Sequence, residues 1–242
     1  MLRKCKAIVI GTVNYSENSV VLKCYTDQFG LQGYMVNGLK SKRASIKPSQ
    51  LMPLTLLEIE VYHQQNKSLH RIKELKCTPI LNDLHFNLLK SSVGMFVAEL
   101  LGKCLREENN PDEQLFDFVF HSIQILDITE DSLANFPVFF MIHLSKYLGF
   151  FPKLNYSDSC NTFSLHEGIF VAENIAVPDA CNPQLSENIY QLAKASFDNL
   201  FSLRISYANR VKLLEVLIKY YQIHLMVFGE LKSPKVLNEV ML

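Results

Sequence analysis

Apolar and polar residues alternate in short runs over the first 76 residues and recur at helical spacing from about residue 82 onward. In "LTLLEIEVY" (54–62), Leu57, Ile59 and Val61 oppose Glu58, Glu60 and Tyr62, the period-two pattern of a strand with one buried face. Runs of similar character at 6–12, 19–26, 31–37 and 68–76, separated by turn residues, bring the predicted strands to five. Five short strands without a long helical pattern predict a small, partly open barrel of the oligonucleotide-binding (OB) type.

Joined by "DQFG", the second and third strands should pair antiparallel, with Tyr25 opposite Gln32 and Lys23 opposite Tyr34. Leu22, Cys24 and Thr26 then point inward with Leu31, Gly33 and Met35, and the outer face carries Lys23, Tyr25, Gln32 and Tyr34. Two outward aromatics beside a cation would suit base stacking combined with phosphate attraction.

Past Asn82 the pattern becomes helical. Asp83 can cap a helix through "LHFNLLKSSVGMFVAELLGKCLRE", and Pro111 opens a second, "PDEQLFDFVFHSIQILD". A third covers about 131–148, and two more follow at about 184–201 and 205–228. The last is apolar except for a stripe of Lys212, Glu215, Lys219 and Gln222, as expected of a central helix. The predicted class is α+β, with an OB-fold barrel at 1–80 and an all-α helical domain at 81–242 that holds an irregular insert at 150–182. The most apolar segment, "FPVFFMIHLSKYLGFF", is cut by His143 and Lys146, and "AIVIG" is too short for a signal peptide. No membrane span is predicted, and the expected location is the cytoplasm.

Charge changes this picture. The chain has 24 basic and 24 acidic residues, yet residues 1–76 carry 12 Lys and Arg against 5 Asp and Glu, a net charge of +7. The remainder carries 12 against 19, a net of −7, so a basic module is joined to an acidic one. Such asymmetry points to an anionic partner for the first module. The segment "NGLKSKRASIKPSQ" (37–50) concentrates Lys40, Lys42, Arg43 and Lys47 without one acid. A solvated loop would be equally polar. The net charge of the module and the neighbouring tyrosines favour contact with DNA, so Lys23, Tyr25, Tyr34, Lys40, Lys42, Arg43 and Lys47 are the candidate DNA-binding residues.

Signs of catalysis are sparse: the chain has no GxSxG, HExxH or GxGxxG motif. Gly33 to Ser41 resembles a phosphate-binding loop with Leu39 inserted between glycine and lysine, which would make the chain a nucleotide hydrolase. The following "KRASIKPSQ" is a poor helix start, so the main reading is a protein that is not an enzyme. An OB fold serving as an adaptor between proteins is the other alternative. Cys160, His166 and Cys181 could be metal ligands, but they lack the close pairs of a structural zinc site. The six cysteines read as reduced thiols, and neither a metal nor a cofactor is expected.

Taken in order, these segments resemble the bacterial DNA repair protein RecO family. "AIVIGTVNYSENSVVLKCYTDQFGLQGYMVNGLKSK", with Glu17, the "YT…GL" step and the Lys-rich segment after it, is similar to the family's beginning, and "SQLMPLTLLEIEV" follows in its expected place. "RVKLLEVLIKYYQIHLMVFGELKSPKVLNEV" resembles its closing helix. The resemblance implies a non-enzymatic protein that binds single- and double-stranded DNA and anneals complementary strands. It also implies a recombination mediator that, with RecR, helps load RecA onto strands coated by the single-stranded DNA-binding protein SSB. Many members hold zinc through four cysteines, where this chain has "YSDSCNTFSLHEGIFVAE" with Cys160 alone. The acidic C-terminal tail of SSB would need an apolar groove with a cation at its rim, for which Arg204, Arg210, Lys212 and Lys219 are candidates.

Overall fold

The structure, a computed structural model, describes residues 2–39, 46–64, 67–106 and 110–240 of the 242. By compactness the chain divides into two units, Met1–Ile128 and Thr129–Leu242. The change from strands to helices comes earlier, near residue 80, so the first unit contains two helices besides the barrel.

The barrel is made of β1 (Leu2–Ser16), β2 (Ser19–Thr26), β3 (Gly30–Asn37), β4 (Leu56–Tyr62) and β5 (Leu69–Cys77). It is closed, with β1, β2, β3, β5 and β4 as successive neighbours and β4 returning to β1. All pairs are antiparallel except β3 with β5. Ala7, Val9, Leu22, Cys24, Val36, Leu57, Ile59 and Val61 fill its interior, each no more than 2% exposed. The first strand is longer than predicted: beyond Gly11 it continues along β2, which is itself paired with β3 on its other side, as far as the turn at Glu17 and Asn18.

α1 (Leu88–Cys104) and α2 (Glu113–Ile128) complete the unit. α1 begins later than the sequence suggests. Asn87, not Asp83, is its cap, accepting from the N–H groups of Leu89 and Lys90. The amides before it are already engaged, because the buried Asp127 carboxylate accepts from the N–H of Asn82, Asp83 and Leu84 at 2.7–3.0 Å. Lys90, only 5% exposed, donates its ammonium to the Asp127 carbonyl and pairs with Asp83 at 3.0 Å. Asp127 thus ties the end of α2 to the segment that leaves β5.

The second unit centres on α3 (Phe136–Tyr147), which packs against α4 (Pro183–Lys194) and α6 (Tyr207–His224). Nine of the twelve residues of α3 are buried, so its apolar run serves as a core. The predicted 184–201 helix is interrupted, and α5 (Phe197–Leu200) follows α4 after a break at Ala195 and Ser196. On α6, Leu213, Leu214, Leu217, Tyr220 and Tyr221 are buried, while Lys212, Glu215, Lys219 and Gln222 form the exposed stripe. Tyr221 donates its hydroxyl to the Met141 carbonyl at 2.7 Å, satisfying the polar tip of a buried ring. Between α3 and α4 the irregular segment contains a short hairpin, β6 (Thr162–Ser164) with β7 (Ile169–Val171). α7 (Ser233–Val240) ends the described chain.

Burial alone would raise the Asp127 carboxyl, but the three N–H donors and the nearby Lys90 ammonium outweigh it and hold the group below its ordinary 3.8. A carboxyl depressed on folding stabilises above its unfolded pKa of about 4, and that contribution fades as pH falls through the folded value. Asp127→Ala should therefore cost about 3 kcal/mol at pH 7 in urea unfolding. The gap to the unaltered protein should narrow below about pH 4. A gap that stayed constant with pH would show the carboxylate charge to be unimportant.

Candidate nucleic-acid interface

The connection between β2 and β3 sets which side chains the barrel presents. It contains three residues, Asp27 to Phe29, and ends on Gly30, whose φ of +65° suits a residue without Cβ. Thr26 Oγ1 accepts from the Phe29 N–H and donates to the Gly30 carbonyl, both at 3.0 Å, closing the turn. Leu22 therefore pairs with Tyr34, Lys23 with Gly33, Cys24 with Gln32 and Tyr25 with Leu31. The sequence prediction counted four residues in this connection, so its register is one residue off, and such a slip exchanges the faces of β3.

Two candidate residues change role as a result. Tyr34 is fully buried in the barrel interior beside Leu22 and Cys24, where it packs near His70, and burial pushes its hydroxyl well above 10. Tyr25 does point outward, but α2 covers it. Its ring lies 6.0 Å from Phe116, its hydroxyl donates to the Asp112 carbonyl at 3.3 Å, and it is 3% exposed. Burial first, and then nearby Asp112, raises its pKa. Neither ring is accessible to a base. Lys23 is exposed as predicted. Lys47 is exposed too, just before a 3-10 turn at Pro48–Leu51. Lys40, Lys42 and Arg43 lie outside the described residues. Leu39 and Ile46, which flank that segment, both pack against the barrel core, and the Leu39 N–H bonds to the Asn18 carbonyl in the β1–β2 turn.

The outer surface of the barrel has three sectors. Ile8, Tyr25, Leu31 and Leu56 are cross-strand neighbours and are all buried, although they lie outside the interior cluster; on this side α1 packs on β1 and α2 on Tyr25. On β4 and its neighbours, acids and bases alternate, with Lys4 paired to Glu58 and Lys73 to Glu60. The third sector, across β2, β3 and the start of β5, is open and differs in chemistry. β2 and β3 contain no acid, Lys23 lies between Gly11 and Gly33, and Val13, Val21, Met35, Arg71 and Tyr62 form the next row of neighbours. Sequence reasoning did not bring Tyr62 and Arg71 together, because they become neighbours only through β4–β5 pairing. Tyr62's place on the solvent side of its strand was legible in the alternation.

Lys40 and Ser41 of "GYMVNGLKS" lie outside the described residues, and up to Asn37 the stretch is strand and not loop. The residues from Gly33 to Asn37 are part of β3, so their backbone groups belong to the sheet and not to an anion cradle.

In the second unit, Arg210 is placed differently from the other three candidate cations. It lines a groove with Ala134, Pro137, Val138, Val211 and Leu214, and the groove is closed on one side by Leu237 and Asn238 of α7. Its guanidinium lies 6.0 Å from the centre of the Tyr207 ring and donates to the Ile205 carbonyl. Lys219 is paired with Asp179 at 2.5 Å, and Lys219 and then His166 hold that carboxyl below its usual range. Arg204 and Lys212 are exposed and do not line this groove.

Cys160, His166 and Cys181 are not assembled into a ligand set. Cys160 bridges to Ser157 through backbone bonds, His166 contacts Asp179 at 3.2 Å, and the buried Cys181 thiol is pushed up to about 12. Among the described residues, no group of three or more His, Cys, Asp and Glu could hold a metal ion. No helix among them is long and apolar enough to cross a membrane.

A closed five-stranded barrel followed by a helical region defines an OB-barrel protein with a helical second part. Residues 1–80 match the family model described as Recombination protein O N terminal, and residues 85–234 match Recombination protein O C terminal. The chain belongs to the RecO family of DNA repair proteins. It is 35% identical over 242 residues to the DNA repair protein RecO of Christiangramia forsetii, with 99% of each chain covered. It is 32% identical over 240 residues to that of Azobacteroides pseudotrichonymphae, again with 99% of each covered.

The interior placement of Tyr34 has a measurable consequence. Tyr34→Ala should lower unfolding stability by about 3–5 kcal/mol, the usual cost of deleting a buried aromatic ring. Chemical denaturation followed by circular dichroism measures it. A change below about 1 kcal/mol would return Tyr34 to the surface.

Proposed function

We propose that this protein binds DNA through the open outer sector of its barrel and the basic segment that follows β3. There it anneals complementary strands and acts as a recombination mediator in DNA repair. The observation that carries this reading is the acid-free β2–β3 face within a module of net charge +7. Strands approach one another only when their phosphates are neutralised, and clustered Lys and Arg do this without reading sequence. The acidic remainder of the chain repels nucleic acid and helps confine it to the barrel.

Family membership supports the rest of the reading: action in the cytoplasm with RecR, and delivery of RecA to strands coated with SSB. For the SSB tail, the groove at Arg210 offers what an apolar peptide ending in a carboxylate requires, namely an apolar floor and one cation at its edge.

Two experiments test these assignments. Changing Lys40, Lys42, Arg43 and Lys47 to Ala should weaken single-strand binding for all sequences and flatten the log affinity against log salt plot by ~0.7 per lost contact. Fluorescence anisotropy at several salt concentrations reads both effects, and an unchanged slope in a folded variant would reject the loop as a DNA contact. For the groove, Arg210→Ala should reduce affinity for an SSB tail peptide by at least about ten-fold, since it removes the partner of a desolvated carboxylate. Lys219→Ala should leave affinity unchanged because Asp179 already holds that ammonium. Calorimetry giving the reverse order would move the tail site away from Arg210.

A further inference from the structure

The groove at Arg210 is occupied by the chain itself. α7 closes one side of it, and Leu237, 3% exposed, is the only buried hydrophobic among the described side chains of that helix. Val236 is 44% exposed, and Lys235 and Glu239 face solvent. With α7 in place, the space left between Leu237, Val138 and Leu214 is about 30 Å³, room for a water or two and not for an apolar side chain. The cation at the rim is engaged as well. The Arg210 guanidinium donates to the Ile205 carbonyl and lies over the Tyr207 ring, and among the described residues no carboxylate is paired with it. The link from α6 to α7 has anchors of its own. Phe228, 3% exposed, lies 5.3 Å from the Tyr221 ring, and Leu231 is 6% exposed.

We infer that α7 is an autoinhibitory latch on this groove: Leu237 fills the apolar floor in the resting chain, and a peptide ending in an apolar residue with a free carboxylate must displace it to bind. The inference rests on the reading of the groove as the SSB tail site and adds its regulation. The exchange is like for like. The terminal side chain of the peptide takes the place of Leu237, and its carboxylate replaces a neutral carbonyl at Arg210 with a charge-assisted partner. α7 is suited to leave. Its eight residues are too few for a helix that is stable alone, so undocking and unwinding go together and the released segment regains chain entropy. Phe228 and Leu231 stay seated, so the release ends near Lys232 and leaves α6 in place. The consequence is an apparent affinity lowered in proportion to the fraction of molecules whose latch is open.

The test titrates an SSB tail peptide by calorimetry into the full chain, into Leu237→Ser and into a chain ending at Lys232. Leu237→Ser should tighten binding by at least about five-fold, and the shortened chain by as much or more, because both raise the open fraction. A cooperative thermal transition establishes that the two variants fold. The unaltered protein gives an independent reading through hydrogen exchange. On addition of the peptide, exchange should speed up in α7 and slow down at the start of α6 around Arg210. Unchanged or weaker binding by both variants, or added protection of α7 by the peptide, would make α7 a wall of the site and overturn the latch. If neither the unaltered chain nor either variant binds the peptide, the reading of the groove as the tail site falls and the latch falls with it. If the variants bind only as well as the unaltered chain while Arg210→Ala still weakens binding, that reading stands and the latch alone is lost.

Discussion

The three-residue connection between β2 and β3 decides what this barrel shows to its surroundings. Thr26 closes it from both sides, Gly30 supplies the positive φ, and Asp27 fastens it to β1 through the Lys6 N–H and carbonyl. Because side chains alternate with period two, this length sends Tyr34 and Val36 inward and leaves Gly33 and Met35 outside. Gly33 then meets β5 at Leu69, and that parallel pairing brings Arg71 beside Met35. The open sector follows from one turn.

A second constraint selects which part of the exterior remains open. Asp127 gathers three amides of the segment after β5 and, with Lys90, fixes the positions of α1 and α2 in the first unit. Those helices cover the row of Ile8, Tyr25 and Leu31, which would otherwise be an apolar stripe in water. Ion pairs occupy the β4 side. What remains is the sector with cations and apolar groups but no acid. An exposed apolar row is costly to leave in water unless a ligand covers it, and here it lies beside Lys23 and Arg71.

The second unit uses its aromatic residues differently. Tyr220 and Tyr221 are buried and direct their hydroxyls to the carbonyls of Phe150 and Met141, so they stabilise the core around α6. The irregular segment is held by similar means, with His224 on the Leu165 carbonyl and Asp179 between His166 and Lys219. Engagement of Lys219 in that cluster leaves Arg210 as the candidate cation lining the apolar groove.

The sequence by itself determined the barrel, the helices after it, the charge asymmetry and the family, because these depend on periodicity, composition and the order of motifs along the chain. It also placed the Lys212–Glu215–Lys219–Gln222 stripe outside, since helical spacing alone decides that. It could not determine the face of Tyr34, which depends on counting one turn residue. It could not determine the burial of Tyr25, which depends on a helix starting 88 residues later at Glu113. Asp83 reads as a helix cap until Asp127, 44 residues away, claims its amide. Tyr62 and Arg71 look unrelated until β4 pairs with β5. Local pattern fixes which residues can form a strand or helix, whereas exposure and neighbourhood are set by pairing between distant segments, and only the tertiary structure contains that pairing.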